Sequence, residues 1–312
     1  MIKHLGLKAY GKINLGLDVL RRREDGYHEV RMIMQTVGIF DRVDIIWKEA
    51  PGIQVETNLY YLPTNENNLV YKAAKLLMDE FGVTDGVTIK LKKFIPVAAG
   101  MAGGSSDAAA VLFGINKMFR LGLTIPQLME RGVKIGADVP YCILRGTALS
   151  EGIGEVLTPL PPVPQCQVLI AKPAINVSTK FVYENLHAND LRPEQHPDID
   201  AIIDAIQRND LYGIADNLGN VLETVTVKEY PVIREIKEKM LEYGAVGSLM
   251  SGSGPTVFGL FTSPKAAQDA YEELRYGSAS GLAKQVYLTN FYNQKENQKE
   301  NIHGTRTEGK HE

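Results

Sequence analysis

Along the first twenty residues the apolar positions either alternate with polar ones or run together, as in LKAYGKINLGLDVL, and this spacing predicts strands over residues 7–20. The polar run RRREDGYHEV interrupts them, with Asp25-Gly26 as a turn pair. Strand-like patterning resumes over residues 32–38 and 43–47. The period then changes. Leu69, Ala73, Leu76 and Leu77 fall at helical spacing, Asn68 suits the cap and Gly82 the stop, so a helix is predicted over 67–81. Residues 86–91 alternate again as a strand, 108–120 predict a buried helix and 125–134 a second one. A loop is expected at 136–140 and an extended piece from 146 to 149.

The proline-rich run LTPLPPVP, residues 157–164, is the natural break, because prolines stiffen linkers and interrupt regular elements. It predicts two domains, 1–160 and 161–292, followed by a polar tail at 293–312 without apolar periodicity, expected to be disordered. Within the second domain the pattern predicts a strand over 167–171, helices over 199–207, 211–222 and 232–243, strands over 246–250 and 256–261, a helix over 265–276 and a strand over 285–288. This is an α+β order of ferredoxin-like type.

Composition narrows the chemistry. The 312 residues carry a net charge of −3, which gives no electrostatic case for nucleic acid. Two local basic clusters, Arg21–Arg22–Arg23 and Lys90, Lys92 and Lys93, read as solvated faces. The 2 cysteines, Cys142 and Cys166, form no CxxC pair and sit in apolar surroundings, which speaks against zinc and fits a reducing compartment. No run approaches the ~20 apolar residues of a membrane helix, and the start of the chain lacks a signal-peptide pattern, so a cytoplasmic protein is expected.

One segment carries most of the chemical information. Pro96, Val97, Ala98, Ala99, Gly100, Met101, Ala102, Gly103, Gly104, Ser105, Ser106 and Asp107 spell PVAAGMAGGSSD just before an alanine-rich helix. The glycines let backbone approach a ligand, and Ser105, Ser106 and Asp107 are residue types that cap helices. A glycine loop opening onto a helix N-terminus offers free N–H groups and the positive dipole end, a site for phosphate. It matches neither GxxxxGK[ST] nor GxGxxG. Lys12 stands in a strand otherwise fit for burial, where a lysine needs a partner, and Asp138 in GADVP is a candidate. Asn14 shares the face of Lys12.

PVAAGMAGGSSDAAA resembles the second motif of the GHMP small-molecule kinases, LKAYGKINLGL the first and GSLMSGSGPTVFGLF the third, in order over residues 5–290. With REDGYHEV and IGADVPYCI, the chain resembles the branch whose small-molecule substrate carries a cytidyl diphosphate group, in the non-mevalonate route to isoprenoids. The loop reads GMAGGSS where the wider family has G-[LM]-G-S-S, and that branch uses such a longer loop. The resemblance implies the GHMP kinase fold, with an N-terminal ribosomal-protein-S5-like domain and a ferredoxin-like C-terminal domain enclosing the active site. It implies an ATP-dependent phosphotransferase using Mg²⁺. Asp138 would be the base for the substrate hydroxyl, and Lys12 would orient it and offset charge on the phosphoryl group. Asn14 would bond substrate, while Tyr27 and His28 would hold the cytosine together with Tyr183, or Phe181 in its place. Gly252, Ser253 and Gly254 would pack on the phosphate loop, and the Ser106 hydroxyl would be the protein contact to Mg²⁺.

Overall fold

The computed structural model describes residues 2–293. The strand runs near the start fuse into two long partners, β1 (His4–Arg22) and β2 (His28–Lys48). Their antiparallel register slips between Tyr10 and Lys12, Asn14 and Gly16, and Val19 and Arg21. The first slip lies opposite Thr36–Phe40 and breaks strict alternation there, close to where the expected strands 32–38 and 43–47 part. There follow β3 (Ile53–Thr57), α1 (Leu69–Glu80), β4 (Gly86–Lys92), α2 (Gly103–Phe119), α3 (Ile125–Val133), α4 (Val139–Leu144), β5 (Thr147–Glu151) and β6 (Val156–Pro159). The second half comprises β7 (Gln167–Lys172), α5 (Thr179–Asn185), α6 (Ile199–Gln207), α7 (Leu211–Asp216), β8 (Gly219–Asn220), α8 (Glu223–Glu229), α9 (Val232–Glu242), β9 (Gly247–Met250), β10 (Val257–Phe261), α10 (Pro264–Tyr276) and β11 (Gln285–Asn290).

The first sheet runs β3-β4-β2-β1-β8, with β5 and β6 attached beyond β2. Its buried face carries α1 and α2, whose Val70, Ala73, Leu77, Ala108, Val111 and Leu112 pack against Val43, Ile45, Val87 and Ile89. The second sheet runs β11-β7-β10-β9, all antiparallel. With α9 before β9 and α10 before β11, that is the ferredoxin-like arrangement.

Several expectations change. The helix expected from 108 starts at Gly103, so Ser105, Ser106 and Asp107 lie inside its first turns rather than capping it. The N-cap is Ala102, in left-handed conformation at φ 54° and without a side-chain cap. The proline run is partly a strand, since Leu157, Thr158 and Pro159 pair with β5; an edge strand tolerates proline. The helix expected over 211–222 breaks after Asp216, because Gly219 and Asn220 pair in parallel with Gly16 and Leu17 of β1. Helices α5 and α8 and strand β3 lie in segments where no element was expected. Just past β11 the chain reaches the first sheet: Tyr292 N–H donates to Thr36 O at 2.9 Å. Asn293, expected to begin the tail, is buried and donates to Val163 O at 3.1 Å; residues 294–312 lie outside the described residues. Among the described residues no helix is long and apolar enough to cross a membrane.

Candidate active site

A cleft of about 610 Å³ runs between the two sheets, walled by the glycine loop, Lys12, Asp138, Tyr183 and the turn at Gly252–Gly254. Its floor is the N-terminus of α2. The first intrahelical bond runs from Ser106 N–H to Ala102 O at 2.8 Å, which leaves the N–H groups of Gly103, Gly104 and Ser105 without a helical acceptor. These three residues line the cleft.

The loop is tied down from several sides. Lys12 N–H on β1 donates to Met101 O at 3.1 Å, and Ser251 Oγ donates to Gly100 O at 3.0 Å. Gly100 has φ +71°, and a Cβ there would stand 2.0 Å from Ser251 O. A Cβ on Gly252 would meet Gly100 Cα at 3.2 Å. The Gly252-Ser253-Gly254 turn therefore packs directly on the loop, and Ser253 Oγ lies 2.8 Å from Thr179 Oγ1 at the start of α5. Ala98 and Ala102 adopt left-handed conformations at φ 50° and 54°, strained for residues bearing a Cβ.

Two loop residues turn away from the cleft. Met101 is buried behind it, and Ser106 Oγ donates to Tyr10 O on β1 inside the protein. The Ser106 hydroxyl, expected at Mg²⁺, thus pins α2 to β1, and Ser105 is the hydroxyl that lines the cleft. Sequence spacing could not separate these neighbours, since the helix start decides which one faces in.

Lys12 is buried, and its Nζ donates to Asn14 Oδ1 at 2.7 Å. Asn14 has no exposed surface and directs its amide nitrogen at Met32 Sδ, 3.2 Å away. The partner expected for Lys12 was Asp138, but among the described residues the two form no ion pair. Both line the cleft, and the charges of both reach the Cys142 thiol, which burial, with a contribution from Asp138, pushes up to about 12. Asp138 is the N-cap residue of α4 by position, yet its side chain makes no capping bond, so the carboxylate stays available to the cleft.

Tyr183, which lines the cleft, is one half of an aromatic pair whose other half, His28, lies outside that lining. His28 and Tyr183 have ring centroids 4.9 Å apart, tilted by 42°. Phe181, the alternative, points outward and is 37% exposed. Burial, then the charge of Arg22 across the hairpin, lowers the His28 pKa, which favours the neutral imidazole. Burial and the charge of Asp138 raise the Tyr183 phenol. Tyr27 is 61% exposed, and its N–H donates to Asp25 Oδ1 at 3.1 Å in the hairpin turn.

Lys93 overturns a further expectation. It is buried rather than solvated, and its Nζ bonds both Asp41 and Asp107. Burial alone would lower its pKa, but the two carboxylates outweigh that and raise it. Burial lifts Asp107 to about 7 against the pull of Lys93. Lys93 and Asp107 line the cleft, and Asp107 Oδ1 is buried without a hydrogen-bond partner. A Lys-Lys pair ending a strand gives no local sign of this. The available signal was the alternation at the end of the strand, where Ile89, Leu91 and Lys93 share one face.

For Mg²⁺, the oxygen donors of Asp138 and Ser105 fit a hard cation that keeps several waters and binds mainly through phosphates. Among the described residues no group of three His, Cys, Asp or Glu side chains forms a ready-made metal cage.

Comparison with known proteins agrees with this geometry. Residues 68–146 match the GHMP kinases N terminal domain model and residues 202–278 the GHMP kinases C terminal model. The chain is 56% identical over 291 residues to 4-diphosphocytidyl-2-C-methyl-D-erythritol kinase of Lachnoclostridium phytofermentans, covering 93% of this chain and 98% of that one. It is 49% identical to the enzyme of that name from Alkaliphilus metalliredigens, covering 94% and 99%. A crystal structure of 4-(cytidine 5'-diphospho)-2C-methyl-D-erythritol kinase superposes with a TM-score of 0.75 at 32% identity, over 92% of this chain and 99% of that chain. Homoserine kinase from Cytophaga hutchinsonii, 21% identical with a TM-score of 0.76 and 93% and 95% coverage, shares the fold. The chain therefore belongs to the GHMP kinases, ATP-using small-molecule kinases, and within them to the 4-diphosphocytidyl-2-C-methyl-D-erythritol kinases.

Proposed function

We propose that the protein transfers the γ-phosphoryl group of ATP to the 2-hydroxyl of 4-diphosphocytidyl-2-C-methyl-D-erythritol, a step in isoprenoid precursor synthesis by the non-mevalonate pathway. The observation that carries this is a single cleft lined by a phosphate-type helix start, a lysine, an uncapped carboxylate and a tyrosine paired with a histidine.

The triphosphate lies along the loop, where the N–H groups of Gly103, Gly104 and Ser105 meet its oxygens. The substrate hydroxyl attacks the γ-phosphorus while its proton passes to Asp138. The new oxygen–phosphorus bond forms as the bond to the β–γ bridging oxygen breaks, and ADP leaves. Asp138 suits this role because no capping bond competes for its lone pairs. Lys12, held by Asn14, sets a fixed positive charge where the phosphoryl oxygens gather charge. Asn14 thus acts by positioning Lys12, and it meets substrate only if that bond rearranges. Asp138 and Ser105 would hold Mg²⁺, which would supply neutralisation of phosphate charge.

The cytosine lies against His28 and Tyr183, with Tyr27 at the open edge. A neutral imidazole can both donate to and accept from the base, and base–aromatic stacking contributes ~1–3 kcal/mol. Residues 1–160 carry the nucleotide loop and catalytic pair, and 161–292 supply Tyr183 and the closing turn.

The test is substrate affinity in His28→Ala and Tyr183→Ala. Each should raise KM for the cytidyl substrate at least about 5-fold, the low end of one lost stack, with KM for ATP unchanged. An unchanged substrate KM in both variants removes the cytosine assignment.

A further inference from the structure

The phosphate loop has two stems, residues 93–95 leading in and the first turns of α2 leading out. Both stems meet at one buried carboxylate. Asp41, on β2 and with no exposed surface, accepts Phe94 N–H at 2.5 Å and Ile95 N–H at 2.8 Å on Oδ1. Its Oδ2 accepts from Lys93 Nζ. The same Nζ donates to Asp107 Oδ2 at 2.5 Å, in the second turn of α2. The three side chains are 4% exposed or less. Lys93 Nζ passes directly beneath the helix start, 3.4 Å from where a Cβ of Gly103 would stand.

We propose that Asp41, acting through Lys93 on Asp107, is a positioning residue for nucleotide: a buried clasp that joins the two stems and fixes the distance between the loop and the N-terminus of α2. The inference rests on the nucleotide reading of the loop given above. Asp41 touches no reacting atom and lies outside the cleft lining, so its effect reaches ATP only through the loop.

The physical reason for such a device lies in the loop itself. Ala98 and Ala102 sit in left-handed conformations that relax unless surrounding structure holds them. The bonds from Lys12 N–H and Ser251 Oγ grip the crest of the loop at Met101 and Gly100. Neither grips its stems. The clasp does, and it uses one buried ammonium shared between Asp41 and Asp107, so that parting them leaves a buried charge uncompensated. Sliding α2 relative to residues 93–95 would have to part them. A misplacement of about 1 Å at a reacting group costs on the order of 10²-fold in rate.

Asp41→Asn is the informative variant because it conserves volume. An amide has one oxygen, so it can accept from Phe94 and Ile95 or from Lys93, and in either orientation a donor faces a donor. Steady-state kinetics of the full chain, with nucleotide-induced shifts in Tm as a second readout, should show KM for ATP raised about 10-fold or more and the shift by ADP reduced, while KM for the cytidyl substrate stays within about 2-fold. Lys93→Arg keeps a cation able to reach both carboxylates and should hold KM for ATP closer to wild type than Lys93→Met does. Equal KM for ATP in wild type and Asp41→Asn overturns the clasp, as does a parallel rise of both KM values with a lowered ligand-free Tm, which marks a merely structural role. Should Asp41→Asn not fold, the lysine pair decides: equal KM for ATP in Lys93→Arg and Lys93→Met overturns it. A wild-type protein whose Tm shifts with ADP but which does not turn over the cytidyl substrate separates the two ideas, removing the proposed substrate and leaving the clasp to the binding comparison.

Discussion

Gly100→Ala tests how tightly the closing turn and the loop are fitted. The position has φ +71°, a conformation that costs an L-residue roughly 1–2 kcal/mol. The larger effect is steric. The added methyl would stand 2.0 Å from Ser251 O, and real Cβ contacts essentially never fall under 3.0 Å, so the two backbones must part by about 1 Å. The obstacle is a main-chain oxygen, so no rotamer change relieves it, and the Ser251 Oγ bond to Gly100 O is disturbed as well. A displacement of that size at the nucleotide loop costs on the order of 10²-fold in kcat/KM, about 2.7 kcal/mol of transition-state stabilisation. Gly122→Ala is the control. Its φ is +78° but nothing lies within 4 Å of the added methyl. It should lose about 1–2 kcal/mol of stability from the backbone alone and keep kcat/KM within about 2-fold. Continuous ADP release gives the kinetics and thermal unfolding the stability. If Gly100→Ala retains more than about a third of wild-type kcat/KM, the loop and turn are not the fitted pair described here.

The remaining expectations concern charge. Asp138→Asn preserves shape but removes the proton acceptor, and kcat should fall about 10²–10⁴-fold while the ADP-induced shift in Tm persists; near-normal kcat would exclude Asp138 as the base. Asp107 has its pKa raised by burial from 3.8 to about 7, so the folded state holds that proton more tightly than the unfolded chain does. Its stabilising share is therefore full below 3.8 and drains as pH rises toward 7. Tm measured across that range should flatten in Asp107→Asn relative to wild type, and identical profiles would contradict the raised carboxyl. His28 is lowered instead, so protonation is unfavourable in the fold and the associated stability is lost as pH falls below its ordinary 6.5; affinity for the cytidyl substrate should hold steady at and above 6.5 and weaken under it.

How much of this was legible from residues alone varies with the range of the forces involved. Asn68 could be read as the cap of α1 because its side chain bonds Val70 N–H two residues away, at 3.1 Å. Gly100 could be read as a close-approach point because a glycine-rich run has few other uses. The ferredoxin-like order was visible because β10 is a continuous apolar run between turn residues and α10 follows as an amphipathic helix capped by Ser263. What escaped depends on partners far along the chain. Lys93 reads as one of three surface lysines until Asp41, 52 residues earlier, is placed beside it. The pairing of Gly219 with Gly16 overrides a helical pattern because β8 adds an edge strand to the first sheet beside β1. Ser105 and Ser106 are indistinguishable in sequence, and the early start of α2 at Gly103 sends one hydroxyl to the cleft and the other to Tyr10. Lys12 was read as a partner for Asp138, whereas Asn14, two positions along the same face of the strand, reaches it first.

The most direct test of the central claim is product formation with purified protein, ATP, Mg²⁺ and one acceptor at a time, followed by ADP release and phosphorus NMR. With 4-diphosphocytidyl-2-C-methyl-D-erythritol the expected result is one ADP per acceptor and a new phosphomonoester on the 2-hydroxyl, with no turnover of mevalonate or homoserine. Turnover of mevalonate or homoserine but not of the cytidyl acceptor would contradict the substrate assignment while leaving the kinase fold in place.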